Sequence, residues 1–151
     1  MVAIMDKEVK QFWQDFCLKH NLSAGTKVDA WAFGYNEKDA DELAELVKRG
    51  IKTATTSEYV PGDEDIPKVG DWNIILDSQG KPVCVVQDKV VEIIPYNQIS
   101  AEHAYHEGEG DRSYQYWRTV HDQFFEEEFK ANGQKFYPQA PMVCETFAKI
   151  D

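Results

Sequence analysis

The stretch Gly50-Ile51-Lys52-Thr53-Ala54-Thr55 sets a lysine two residues after a glycine and follows it with small side chains. Short neighbours leave the lysine stem room to fold inward. An amine drawn into a pocket loses solvation, which lowers its pKa toward neutrality and makes it a usable proton acceptor or donor. Lys52 and Thr55 are three apart, so they do not share one face of a flat strand and converge only where the chain bends. A surface lysine beside a β-prone run of threonines is the other reading, and spacing alone leaves both open. In a second stretch, Glu102-His103-Ala104-Tyr105-His106-Glu107-Gly108-Glu109-Gly110-Asp111-Arg112-Ser113, two glycines mark the junction of a short helix with a long one. Acidic side chains crowd that junction, where a helix start presents unpaired N–H donors suited to polar recognition. Two caps and a turn account for the same residues.

Other chemistry-bearing patterns are thin. There is no phosphate-cradling G-x-x-x-x-G-K-[ST] loop and no G-x-S-x-G nucleophile elbow. Gly108 and Gly110 are only a fragment of a dinucleotide fingerprint, with no strand before them. His103, His106 and Glu107 share a helical face, but H-x-x-H-E without a distant ligand is a weak metal signal. No metal and no cofactor are expected. His121 lies between Trp117 and Phe124 on an apolar stripe, the setting of a hydrogen-bonded core histidine.

These residues need elements to hold them. Val9, Phe12, Trp13, Phe16 and Cys17 recur at helical spacing and predict a helix over Lys7 to His20, capped by Asp6. Asp29 to Tyr35 contains a short apolar run that reads as a strand. Asn36 caps a second helix whose inner stripe is Ala40, Leu43, Leu46 and Val47, with Gly50 as its left-handed stop. Trp72 to Leu76 and Pro82 to Val86 form a hairpin about Asp77-Ser78-Gln79-Gly80. The apolar run continues through Val90, Val91, Ile93 and Ile94. Asp111 is expected to cap a helix from about Arg112 to Asn132, with Tyr114, Trp117, Val120, Phe124 and Phe125 inside and Glu126 to Glu128 solvated. Met142 to Phe147 closes the chain as a strand, with Val143 and Glu145 on the opposite face from Cys144 and Thr146. Strands and helices without βαβ alternation predict an α+β fold with a small, mostly antiparallel sheet or barrel flanked by helices.

Composition bounds the partners. At 151 residues, with 42% apolar and 13% aromatic residues, the chain can bury a core without disulfide or metal. A formal net charge of −11 argues against an extended basic surface tracking many phosphates, though not against a local pocket for one nucleotide. Cys17, Cys84 and Cys144 are odd in number and far apart, which predicts buried free thiols in a reducing cytoplasm. The start shows no signal-peptide pattern, and no stretch approaches the roughly 18 apolar residues of a membrane span.

At these stretches the sequence resembles the ASCH domain family, whose fold is PUA-like. The match runs from about Trp31 to the C-terminus. It is carried by Gly50 to Thr55, Val69-Gly70-Asp71, Glu102 to Ser113, Tyr116-Trp117-Arg118, His121, Phe124-Phe125 and Val143-Cys144-Glu145. The resemblance implies a small PUA-like β-barrel flanked by helices, with residues 1–151 as a single ASCH domain and the helix over about 6–20 packed on it. It implies a cleft for a nucleoside, nucleotide or short RNA. In members that act as amidohydrolases on acetylated cytidine, the counterparts of Lys52, Thr55 and Glu107 form the site: the lysine takes the proton of the threonine hydroxyl and the glutamate serves the leaving amine. Other members are associated with RNA cleavage. Tyr59, Asp111, Arg112 and Ser113 are the implied substrate-binding residues. The alternative is a non-catalytic RNA- or nucleotide-binding module, using Lys52, Arg112 and Arg118 with Tyr59 or Trp72 for base stacking.

Overall fold

A computed structural model describes residues 6–34 and 36–151. Helix α1 (Lys7–Lys19) begins where Asp6 accepts a hydrogen bond from the Val9 amide at 2.9 Å. Its buried face, Val9, Trp13, Phe16 and Cys17, packs on Ile74 and Val85 of the sheet, with Trp72 against Trp13 and Phe16. Strand β1 (Asp29–Trp31) is shorter than the apolar run predicts, and Tyr35, the far end of that expected strand, lies outside the described residues. Helix α2 (Glu37–Lys48) has Asn36 as its cap, as its sequence pattern predicts. It buries Ala40, Ala44 and Val47, and small residues let it lie close on the sheet.

Among the described residues five strands form one curled, mixed sheet, a half-barrel, in the order β1-β3-β4-β5-β2. Its members beyond β1 are β2 (Ala54–Glu58), β3 (Trp72–Leu76), β4 (Pro82–Pro95) and β5 (Pro141–Lys149). Only the β1–β3 pair is parallel. The hairpin partner and the apolar run after it are one 14-residue strand, carried through an irregularity between Asp88 and Val90. A bulge of this kind bends a strand and raises its twist, which lets β4 follow the curl.

Helices α3 (Ala101–Glu107) and α4 (Tyr114–Ala131) cover the opposite side of β5 from α2. Two expectations need correction here. The cap of α4 is Ser113, not Asp111, because Arg112 takes a left-handed backbone (φ 65°) and delays the helix. The buried face is Trp117, His121, Phe125 and Phe129, while Val120 is exposed. All three cysteines are buried free thiols, and burial pushes Cys84 up to about 11 and Cys144 to about 12. Among the described residues no helix is long and apolar enough to cross a membrane.

Candidate functional site

Gly50 (φ 76°) turns the chain off α2, and the amides of Ile51 and Lys52 fold back onto the Leu46 carbonyl. The next residues are pinned on both sides: Thr53 donates to the His106 carbonyl, and Phe147 donates to that of Thr53. The turn aims the Lys52 side chain inward. Only 1% of that side chain is exposed, and its Nζ donates to the Ala54 carbonyl at 2.9 Å and to Glu107 Oε1 at 3.2 Å. Glu109 Oε2 lies 3.7 Å away, and the ring centre of Phe33 5.1 Å away.

Glu107 ends α3 and is the more heavily bonded partner. Its Oε2 accepts from Thr56 Oγ1 at 2.8 Å and Trp117 Nε1 at 2.5 Å. His103 Nε2 lies 2.9 Å from the Thr56 hydroxyl, so the hydroxyl takes a proton bond from the ring and passes one to Glu107. His121 donates from Nδ1 to the Trp117 carbonyl and turns Nε2 toward Glu107 Oε1 at 3.6 Å. Burial alone would raise the Glu107 pKa. The charge of Lys52 and the bonds from His103 and His121 outweigh it and hold the carboxyl well below the usual carboxylate range. For His121 burial acts downward, and the facing carboxylates of Glu107 and Glu109 reverse it, so its pKa is raised.

Glu109 is tuned the other way. Burial raises its pKa and the neighbouring Glu107 charge adds to that, against the pull of Lys52. Its side chain is 21% exposed, so it reaches both the ammonium and solvent. One buried cation thus sits between two carboxyls, one pKa held low beside it and the other raised by burial. Environments that drive neighbouring acids apart in this way are a mark of acid–base sites. Sequence reasoning passed over Glu109 as a site residue; the signal for it is the Glu-Gly-Glu spacing, since left-handed Gly108 (φ 76°) folds the second glutamate back beside the first. Glu107, Glu109 and His121 also present ligand atoms within 4.8 Å of one another, but the two carboxylates among them already hold the Lys52 ammonium.

A model of the ASCH domain matches residues 29–151. The chain belongs to the ASCH domain family. An ASCH domain crystal structure from Lactobacillus crispatus JV V101 is similar at 31% identity and a TM-score of 0.86, covering 96% of this chain and 95% of that one. A protein of Enterococcus faecalis V583 is similar at 38% identity and the same TM-score, covering 96% and 94%. Among curated proteins there is no match.

In this ASCH domain Lys52 and Glu107 are brought together, as the resemblance implies. Thr55 is not in their network: along β2, Ala54 and Thr56 face α3 while Thr55 faces the other side, opposite Glu145. The hydroxyl that bonds Glu107 is that of Thr56. Tyr59 is half-buried just beyond β2, its amide on the Pro141 carbonyl. Asp111 is exposed and accepts from the Ser113 amide, which lowers its pKa; Ser113 accepts from that of Tyr116. Arg112 stacks its guanidinium 3.7 Å over Tyr105 and donates to the carbonyls of Tyr105 (3.0 Å) and Ile51 (3.4 Å), tying α3 to the lysine turn. Arg118 pairs with Asp122, and Trp72 is packed under α1, so neither joins Lys52 in a basic, aromatic surface. A separate hollow of about 280 Å³ opens beside Phe33, lined also by Ala32, Asn36, Ala40, Asp77 and Ser78.

Proposed function

We propose that this ASCH domain is a metal-independent hydrolase for a modified nucleoside or short RNA, with a single domain over 1–151 working in the cytoplasm. The observation that carries the reading is the Lys52 ammonium between Glu107, its pKa held low, and Glu109, its pKa raised. A carboxylate held as low as Glu107 is a poor proton carrier, so its part is to fix the ammonium; the proton duty passes to Glu109. On an acylated cytidine-like nucleoside, a water molecule adds to the amide carbonyl and gives its proton to Glu109. The ammonium of Lys52 stabilises the oxyanion. Glu109 then protonates the departing amine as the carbon–nitrogen bond breaks, which releases the carboxylic acid and the free nucleoside. On RNA the same ammonium would face a phosphate.

The test is turnover of N4-acetylcytidine and of a short single-stranded RNA by the full chain and its E109Q variant. Glu109 is partly exposed, so E109Q keeps the fold. Loss of an acid–base group costs about 10²- to 10⁴-fold in rate. A wild-type chain that binds either compound with no turnover is a binding module instead.

A further inference from the structure

Five side chains, one from each strand, follow the strand order of the sheet across the face that α2 covers: Trp31, Asn73, Asp88, Glu145 and Thr55. Trp31 Nε1 donates to Asn73 Oδ1 at 3.0 Å, and Asn73 Nδ2 donates to Asp88 Oδ2 at 3.3 Å. Asp88 lies opposite Phe147, two residues along β5 from Glu145 on the same face, so the two carboxyls adjoin and each acts on the other's titration; Glu145 stands opposite Thr55 in the β5–β2 register. Asp88 is 1% and Glu145 7% exposed.

The donors in this row run one way. Asn73 uses its oxygen on Trp31 and its N–H on Asp88, leaving Asp88 Oδ1 buried with no donor. Among the described residues neither carboxyl forms an ion pair. Asp71, at the entry to β3, adds a like charge; α2 brings Ala44 and Val47 into the apolar cluster of Val86 and Phe147 on the same face; and Lys52, the cation whose charge reaches Glu145, is engaged by Glu107 and Glu109. Two adjoining buried carboxylates without a counter-ion are too costly to keep. One must hold a proton, and on Glu145, the more strongly raised of the two, it gives Asp88 Oδ1 its missing donor.

We infer that Asp88 and Glu145 share one proton, carried on Glu145 and donated to Asp88 Oδ1, as a pH-sensitive clamp across β4 and β5. The clamp reaches further than its two residues. The Asp88 backbone accepts from Gly70 at 2.8 Å and donates to Asp71 at 2.9 Å, so the Val69-Gly70-Asp71 entry hangs on the same point. Burial is the first cause that raises both carboxyls, and Glu145 is the higher. A folded-state value above the unfolded one gives stability that is complete below the ordinary carboxylate range and is lost as pH rises through the folded value.

The experiment is a carboxyl-carbon NMR titration of the full chain from pH 5 to pH 10, paired with denaturant unfolding over the same range. Glu145 is expected to stay protonated through neutrality and titrate near about 8, and D88N moves that midpoint down. One proton of difference makes the folding constant fall about tenfold more per pH unit in wild type than in E145Q between pH 5 and pH 8. The His121 contribution is common to both chains and cancels. Titration of Glu145 together with ordinary glutamates, or equal slopes in wild type and E145Q, overturns the inference. Should E145Q not fold, the wild-type titration decides alone.

Discussion

Lys52 and Glu107 are 55 residues apart in sequence and 3.2 Å apart in space, each with almost no exposed side-chain surface. The contact joins the turn after α2 to the end of α3. Removing the amine leaves a carboxylate buried with nothing to balance it, which typically costs about 3–5 kcal/mol. K52M, which keeps the stem's volume, should lose stability of that order in urea unfolding. Adding E107Q to K52M should recover part of the loss, because the stranded charge goes too. Equal stabilities of K52M and wild type would show that the pair contributes nothing. Loss of activity in a Lys52 variant therefore needs a folding control.

The acid limb of stability belongs to Glu107. Its folded-state pKa is depressed, so its contribution is present above the unfolded value of about 4.5 and is lost as pH falls through the folded one. Wild type should lose about 1.4 kcal/mol per pH unit from this group in that window. In E107Q the slope should flatten there, as read by denaturant unfolding between pH 2 and pH 6. His121 acts at the other side: its pKa is raised above 6.5, so its contribution is held below that value and lost as pH climbs.

Local signals were legible and through-space ones were not. Asn36, Gly50 and the β3–β4 hairpin announce themselves because caps, left-handed stops and alternation are set by near neighbours. The start of α4 escaped because Gly110 and Arg112 both go left-handed, turning the promising Asp111 into part of a turn. On its inner face His121 is the buried, hydrogen-bonded histidine that its apolar stripe predicts, whereas Val120, expected inside, is turned out. Lys52 and Glu107 were readable through the family resemblance. The choice between Thr55 and Thr56 depends on which way β2 presents its alternating faces, and the Asp88–Glu145 contact depends on register across β4 and β5; neither is written along the chain.

Gly108 is the backbone hinge of the two-glutamate arrangement. A Cβ there would meet the Ile51 carbonyl oxygen at 2.8 Å, in a left-handed conformation that side chains resist. G108A should cost about 1–3 kcal/mol from backbone strain alone, and the clash pushes on the turn that carries Lys52. Gly133 has a similar φ of 73° with open space around it, so G133A should cost only about 1 kcal/mol. Thermal or denaturant unfolding of the two variants separates strain from contact. Equal losses would mean that the Ile51 turn yields without cost.

Thr55 and Thr56 provide the sharpest separation of scaffold from site. Thr56 gives Glu107 a donor in a fully buried place, so T56V should cost about 1.5–3 kcal/mol, the range for hydrogen bonds to charged groups. Thr55 is half-buried on the other face, and T55V should change stability by no more than about 0.5 kcal/mol. Under the proposed hydrolysis water beside Glu109 makes the attack, so T55V should also keep turnover of N4-acetylcytidine near the wild-type rate. A T55V chain that folds but no longer hydrolyses would move the attack to the Thr55 hydroxyl, with Lys52 keeping its role beside the oxyanion.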